Sequence, residues 1–282
     1  MFTLNCKGRL LMVDKPLVMG IINATPDSFY SASRHAGIDA VLQQVEMMLK
    51  DGAAILDIGG QSTRPGSKKI DATEESDRIL KPVEVIHKNF PEAIISIDTF
   101  YSSVASAAVE AGASIINDTS AGSFDEKMIS TVAELKTPYV LMHMKGNPQT
   151  MQQEPNYENI TGEVLDFFIN KTDQLRKAGI NDIIIDPGFG FGKTIANNFE
   201  LLRNLSLFKI LDCPIMLGVS RKSTISKILN ITVDEALNGT TVLNTMGLMN
   251  GAQILRVHDV KQAVEAVNLW LAYNDQSISS KK

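Results

Sequence analysis

The sequence predicts an α/β chain closed into a single (β/α)8 TIM barrel, with a short N-terminal β-hairpin laid across the bottom of the barrel. Three observations carry that expectation. Eight short β-branched apolar runs alternate with amphipathic helical stretches, the pattern of parallel strands joined by helical crossovers. Eight such pairs exceed what an open doubly wound sheet usually holds and imply closure. Nearly every run then ends in polar residues that a core rejects, on the face where barrels place their chemistry.

The apolar runs, taken in order, are Leu17 to Ile22, Ala54 to Ile58, Ile94 to Ile97, Ser114 to Ile116, Tyr139 to Met142, Asp182 to Ile185, Ile215 to Val219 and Gln253 to Val257. Between the first two, Ile38, Val41, Leu42, Val45, Met48 and Leu49 repeat at helical spacing until Gly52 stops the helix. Helices are likewise expected over Glu74 to Lys88, Ser102 to Ala111, Asp125 to Leu135, Asn159 to Ala178, Asn197 to Leu205, Ser223 to Leu229, Val233 to Asn250 and Val260 to Tyr273. Thr3 to Val13, with Gly8 near its middle, reads as the hairpin. One domain is expected over residues 1–273, followed by a polar tail at 274–282.

Composition narrows the function classes. The 282 residues are 44% hydrophobic and 21% charged, which excludes a disordered chain. No apolar run is long enough to span a bilayer, and Asn5, Lys7 and Arg9 interrupt the N-terminus, so neither a membrane span nor a signal peptide is expected and the location is cytoplasmic. With 27 basic against 32 acidic residues, the net charge of -5 gives no general attraction to nucleic acid or an anionic membrane. Cys6 and Cys213 form no C-x-x-C pair and read as core thiols, while the twelve methionines read as core filling.

The tips of the runs carry the chemistry. Asn23 to Phe29 follow the first run and Gly59 to Gly66 the second; the third and fourth deliver Asp98-Thr99 and Asn117-Asp118, the fifth and sixth His143 and Asp186. Ser220 to Ser223 follow the seventh, and Arg256, His258 and Asp259 close the eighth. Asp98, Asn117 and Asp186 are acceptors suited to a flat heterocycle edge that presents several N–H donors. Opposite them, Arg64, Lys222, Arg256 and His258 would concentrate positive charge for a phosphate group. Each residue also has a plainer reading. A lone Asp at a strand end often caps a helix or turn, and His143, within Leu-Met-His-Met, reads as a hydrogen-bonded core residue outside the site. Phe189 and Phe191 could be packing alone, and Arg221 a surface residue. Two nucleotide motifs fail: Pro187 stands where a P-loop needs glycine, and Lys193 where G-x-G-x-x-G needs its third.

Assembled, these segments resemble the dihydropteroate synthase family of folate biosynthesis over nearly the whole chain. The matching motifs are NATPDSF (23–29), GGQSTRPG (59–66), SIDT (96–99), IND (116–118), LMHMKGNPQTMQ (141–152), DPGFGFGK (186–193), VSRKS (219–223) and RVHDV (256–260). The resemblance implies condensation of 6-hydroxymethyl-7,8-dihydropterin diphosphate with 4-aminobenzoate, giving 7,8-dihydropteroate and diphosphate, with Mg2+ accompanying the diphosphate. It implies that Asp98, Asn117, Asp186 and Lys222 hold the pterin, that Thr63, Arg64, Arg256 and His258 bind diphosphate, and that Phe29, Pro65, Phe191 and Ser223 shape the 4-aminobenzoate pocket. Asn23 would be the metal ligand, and Arg64, Lys222, Arg256 and His258 the catalytic set. It also implies a homodimer and a sulfonamide target. The chain departs from the family pattern at Ser31-Ala32-Ser33 and at Tyr101. The alternatives are a methyltetrahydrofolate corrinoid methyltransferase, which needs no diphosphate subsite, and a non-catalytic pterin-binding subunit.

Overall fold

The computed structural model describes residues 1–24, 34–61, 69–146 and 156–275. Two antiparallel strands open the chain, β1 (Phe2–Cys6) and β2 (Arg9–Val13), with Phe2 opposite Val13 and Cys6 opposite Arg9. Lys7 and Gly8 join them with φ of 57° and 87°, the double left-handed turn that matches strand twist in a two-residue hairpin.

Eight parallel strands follow: β3 (Leu17–Asn23), β4 (Ile55–Gly59), β5 (Ile94–Asp98), β6 (Ile115–Asp118), β7 (Tyr139–Met142), β8 (Ile183–Asp186), β9 (Met216–Leu217) and β10 (Ile254–Val257). Their order is β8-β7-β6-β5-β4-β3-β10-β9, and a parallel bridge from Ile185 to Ile215 joins the two ends into a barrel. All eight expected strands are present. The seventh is cut to two residues because its chain bends into the turn that carries Arg221 at φ 53°.

Helices α1 (Arg34–Lys50), α2 (Ala72–Asn89), α3 (Ser102–Glu110), α4 (Met128–Leu135), α5 (Ile160–Lys177), α6 (Ile195–Arg203), α7 (Ser223–Leu229), α8 (Leu237–Met249) and α9 (Val260–Asn274) connect the strands. Asp71, Asn159 and Thr194 cap α2, α5 and α6 with side-chain oxygens, which fixes where those helices begin. Of the expected polar tail, Asn274 ends α9, and residues 276–282 lie outside the described ones.

Two cores result from the strand period of two. Val18, Leu56, Ile95, Ile116, Leu141, Ile185, Leu217 and Leu255 face the helices. The alternate residues Met19, Ile55, Ile94, Ile115, Val140, Ile184, Met216 and Ile254 fill the barrel, where Leu4, Cys6 and Val13 of the hairpin pack against them. The hairpin therefore closes the lower end, and the barrel is a solid core there. Both cysteines are buried and free. The methionines divide: Met19, Met48, Met128, Met142 and Met216 are buried, but Met47, Met246 and Met249 are exposed on helix surfaces, a correction to their reading as core filling.

Candidate active site

The same alternation builds the site. Two residues above Ile55, Ile94, Ile115, Ile184 and Ile254 on the inward face stand Asp57, Ser96, Asn117, Asp186 and Arg256, so the interior changes from apolar to polar in one step along five strands. Ile21 and Met142 occupy that height as apolar walls. The inward position on the seventh strand is Gly218, where a Cβ would lie 3.9 Å from both Asp186 Oδ2 and Arg256 Cβ. A side chain there would fill the space between acid and arginine. One step further up stand Asn23, Gly59, Asp98, Ser220 and His258.

The acids and Arg256 share one network. Arg256 Nε donates to Asp57 Oδ2 and its Nη2 to Asp98 Oδ2, each at 2.6 Å, and Asn117 Nδ2 donates to Asp57 Oδ2 at 3.1 Å. The expected separation of acceptors and cations to opposite sides is therefore corrected: Arg256 lies among the acids, because Asp57 is buried within its reach. Burial pushes the Asp98 carboxyl up to about 7 despite Arg256, and raises Asp186 despite Lys222. Burial opposes charge on Arg256 too, but Asp57 and Asp98 outweigh it and keep the guanidinium firmly protonated.

Asp186 and Lys222 are set by the loop of residues 187–193. Asp186 Oδ1 accepts from the Gly188 amide at 2.8 Å. Lys222 donates to the Phe189 carbonyl, and its Nζ lies 4.3 Å from the Phe191 ring centroid. Burial lowers its pKa to about 8, against the pull of Asp186. Gly188 is left-handed and so close to β7 that a Cβ would come within 1.9 Å of the His143 carbonyl. Phe189 packs into the core with Phe199, whereas half-buried Phe191 stays beside Lys222.

Remaining candidates sort by direction. His258 Nδ1 lies 3.0 Å from Ser220 Oγ, on the inward side. Ser223 is exposed at the first position of α7, and Asn23 is exposed at the tip of β3. Arg221 points outward and is held by two bonds to Asp259, at 2.9 and 2.8 Å. His143 is buried and hydrogen-bonded, with Nδ1 2.9 Å from Lys193 Nζ. Phe29, Thr63, Arg64 and Pro65 lie outside the described residues, as do Ser31, Ala32 and Ser33. The residues flanking the second loop are tied beside Asp98: Ile70 N donates to Gln61 Oε1 at 3.0 Å, and Tyr101 Oη to the Ile70 carbonyl at 2.7 Å. Lys69 Nζ lies 4.8, 5.4 and 5.3 Å from the rings of Phe100, Tyr101 and Phe124. Tyr101, a departure from the family pattern, thus anchors that loop's exit.

Two residues escape a reading based on strand tips. Asp57 sits inside Ile-Leu-Asp-Ile, before the tip, and its only signal is the period of two that puts it on one face with Ile55. Lys193 looks like the remnant of a failed P-loop; it is buried and contacts His143 Nδ1 and the carbonyls of His143, Gly188 and Phe191 at 2.9 to 3.1 Å.

The closed barrel and its ring of buried acceptors define a class, and residues 19–258 match the model of the family described as "Pterin binding enzyme". The dihydropteroate synthase of Escherichia coli K12 is 40% identical over 265 residues, 93% of each chain. The Yersinia pestis dihydropteroate synthase in a sulfonamide drug complex superposes with a TM-score of 0.90 at 38% identity, covering 96% of this chain and 99% of that one. The Xanthomonas albilineans enzyme with 4-aminobenzoic acid gives 0.90 at 37%, covering 97% and 98%. The chain belongs to the pterin-binding enzymes and, among them, to the dihydropteroate synthase family.

Proposed function

We infer that the chain joins 6-hydroxymethyl-7,8-dihydropterin diphosphate to 4-aminobenzoate, releasing diphosphate and 7,8-dihydropteroate. The observation that carries this reading is the adjacency of three buried ring-type acceptors, Asp98, Asn117 and Asp186, to a half-buried guanidinium, Arg256. A pterin edge offers N–H donors to the first group, and the second meets the anion attached a methylene away. The corrinoid methyltransferase reading would leave that cation without a substrate group.

Asp98, Asn117 and Asp186 accept from the ring, and Lys222 faces its carbonyl. Arg256 and His258, with Thr63 and Arg64 of the second loop, hold the diphosphate. Phe191 and Ser223, with Phe29 and Pro65, shape the aminobenzoate pocket. The bond from the exocyclic methylene to the diphosphate oxygen breaks first, and both electrons leave with diphosphate. The dihydropterin ring spreads the resulting positive charge, the arylamine nitrogen attacks the methylene, and one amine proton is lost to solvent. No strong base is needed. Preorganised cations stabilise charge growing on the leaving group.

Among the described residues no three His, Cys, Asp or Glu side chains form a metal cage. Mg2+ commonly takes one or two protein oxygens and completes its shell with water and substrate phosphate. The exposed Asn23 amide, on the strand beside Arg256 and His258, fits that role. When bound, the ion would neutralise leaving-group charge.

A homodimer is supported by Val242, Met246 and Met249, exposed at helical spacing on α8; sedimentation equilibrium tests it. No helix among the described residues is long and apolar enough to cross a membrane. Sulfonamide inhibition is expected by competition with 4-aminobenzoate. The primary test is an assay with both substrates and Mg2+, following diphosphate and dihydropteroate by mass spectrometry with each component omitted in turn. Coupled formation of both products is expected; pterin binding with neither product would overturn the reading.

A further inference from the structure

The Asp57 side chain is wholly buried in the middle of β4, below the residues that meet solvent in the mouth. Its Oδ2 receives both Arg256 Nε and Asn117 Nδ2. Its Oδ1 has no partner among the described residues. A buried carboxylate paired through one oxygen is costly, and an apolar residue would often be at least as stable in its place.

We propose that Asp57 is a positioning residue, which holds Arg256 and Asn117 in register between the ring and leaving-group subsites throughout the reaction. The proposal rests on the synthase reading above. Arg256 makes two acid contacts of different character. Asp98 is partly open to the mouth and is itself a ring acceptor, so a pterin edge competes for it. Asp57 has no such access, and its bond to Nε persists when Nη2 exchanges Asp98 for a phosphate oxygen. Asp57 also fixes the amide of Asn117. An acceptor behind that residue draws Nδ2 inward and leaves Oδ1 for a ring donor. One carboxylate thus orients a ring acceptor and the guanidinium across the bond that breaks.

The test is Asp57→Asn, which keeps the shape and removes the charge. Turnover should fall at least tenfold, and the dissociation constant of inorganic diphosphate with Mg2+, read by calorimetry, should rise at least fivefold. The KM for 4-aminobenzoate should stay within twofold. In an Arg256→Gln background the same change should cost less turnover than in the wild type, the remainder being what Asp57 does through Asn117. Unchanged turnover and diphosphate affinity would overturn the proposal, as would an equal loss in the Arg256→Gln background or an equal loss of aminobenzoate affinity. Asp57→Ser, which leaves room for a water, repeats the test if Asp57→Asn does not fold; failure of both to fold would make the role structural and overturn the proposal. A wild-type chain that forms no dihydropteroate overturns the synthase reading instead, and the diphosphate isotherms of wild type and variant then decide the role of Asp57 alone.

Discussion

Arg256 Nη2 donates to Asp98 Oδ2 at 2.6 Å, so a group assigned to the leaving diphosphate and a group assigned to the pterin ring are partners before either substrate part is present. On the proposed function, substrate binding divides that pair, with ring donors taking over the carboxylate and phosphate the guanidinium. Each half compensates the other, which is why neither charge is stranded at any stage.

Replacing Arg256 by Ala removes a preorganised donor to developing charge, an effect typically worth about 3 to 4 kcal/mol in the barrier. Turnover should fall at least a hundredfold in steady-state assays. Near-normal turnover would contradict its place in the diphosphate subsite.

Asp186→Asn should weaken pterin binding by about tenfold, because a ring donor then faces a neutral and partly misdirected amide. Calorimetry with the pterin alone reads this directly. An unchanged dissociation constant would remove Asp186 from the ring site.

With the Asp98 carboxyl pushed up to about 7 by burial, the free protein carries a proton there in mildly acidic solution. Ring donors need the ionised form. Pterin affinity should therefore fall as pH drops below 7, approaching about tenfold per unit, and Asp98→Asn should flatten the profile. A wild-type affinity that is constant from pH 5 to 8 would be inconsistent with this.

Glu75 is fully buried on α2, where Thr99 Oγ1 donates to its Oε2 at 2.5 Å. Burial raises its pKa from 4.5 to about 7, against that bond. The native state then keeps a proton that the unfolded chain loses, so the group's stabilisation is complete below 4.5 and is lost as pH rises through 7. The shift corresponds to about 3 kcal/mol. In urea titrations Glu75→Gln should gain on wild type between pH 4.5 and 8; a difference independent of pH would exclude a titrating Glu75.

The loop of residues 187–193 is fixed by contact as well as by charge. Gly188→Ala forces a Cβ against the His143 carbonyl and requires a left-handed alanine, so it should displace Phe191 and Lys222. Lys193→Met leaves the buried His143 Nδ1 and three carbonyls without their shared donor. Each should destabilise the fold by about 2 kcal/mol or more, seen as a lowered urea midpoint. A wild-type midpoint in both would mean the loop has another support.

Barrel and mouth were legible for one physical reason. Short β-branched apolar runs separated by amphipathic stretches determine strands, and polar residues at the ends of those runs have no place in a core, so Asp98, Asn117, Asp186, Arg256 and His258 stand out in the sequence. The left-handed pair Lys7-Gly8 marks the hairpin in the same local way. What closes at long range is not written locally. Asp57 and Arg256 lie 199 residues apart and meet only because β3, between β4 and β10, brings their strands to one end of the barrel. Lys193 reaches His143 across 50 residues through a loop with three left-handed glycines. The sequence by itself determined which residues are offered to the mouth, through local periodicity and composition. Tertiary structure alone decided which of them pair, because closing the barrel sets the distances and burial removes the water that would otherwise screen each charge.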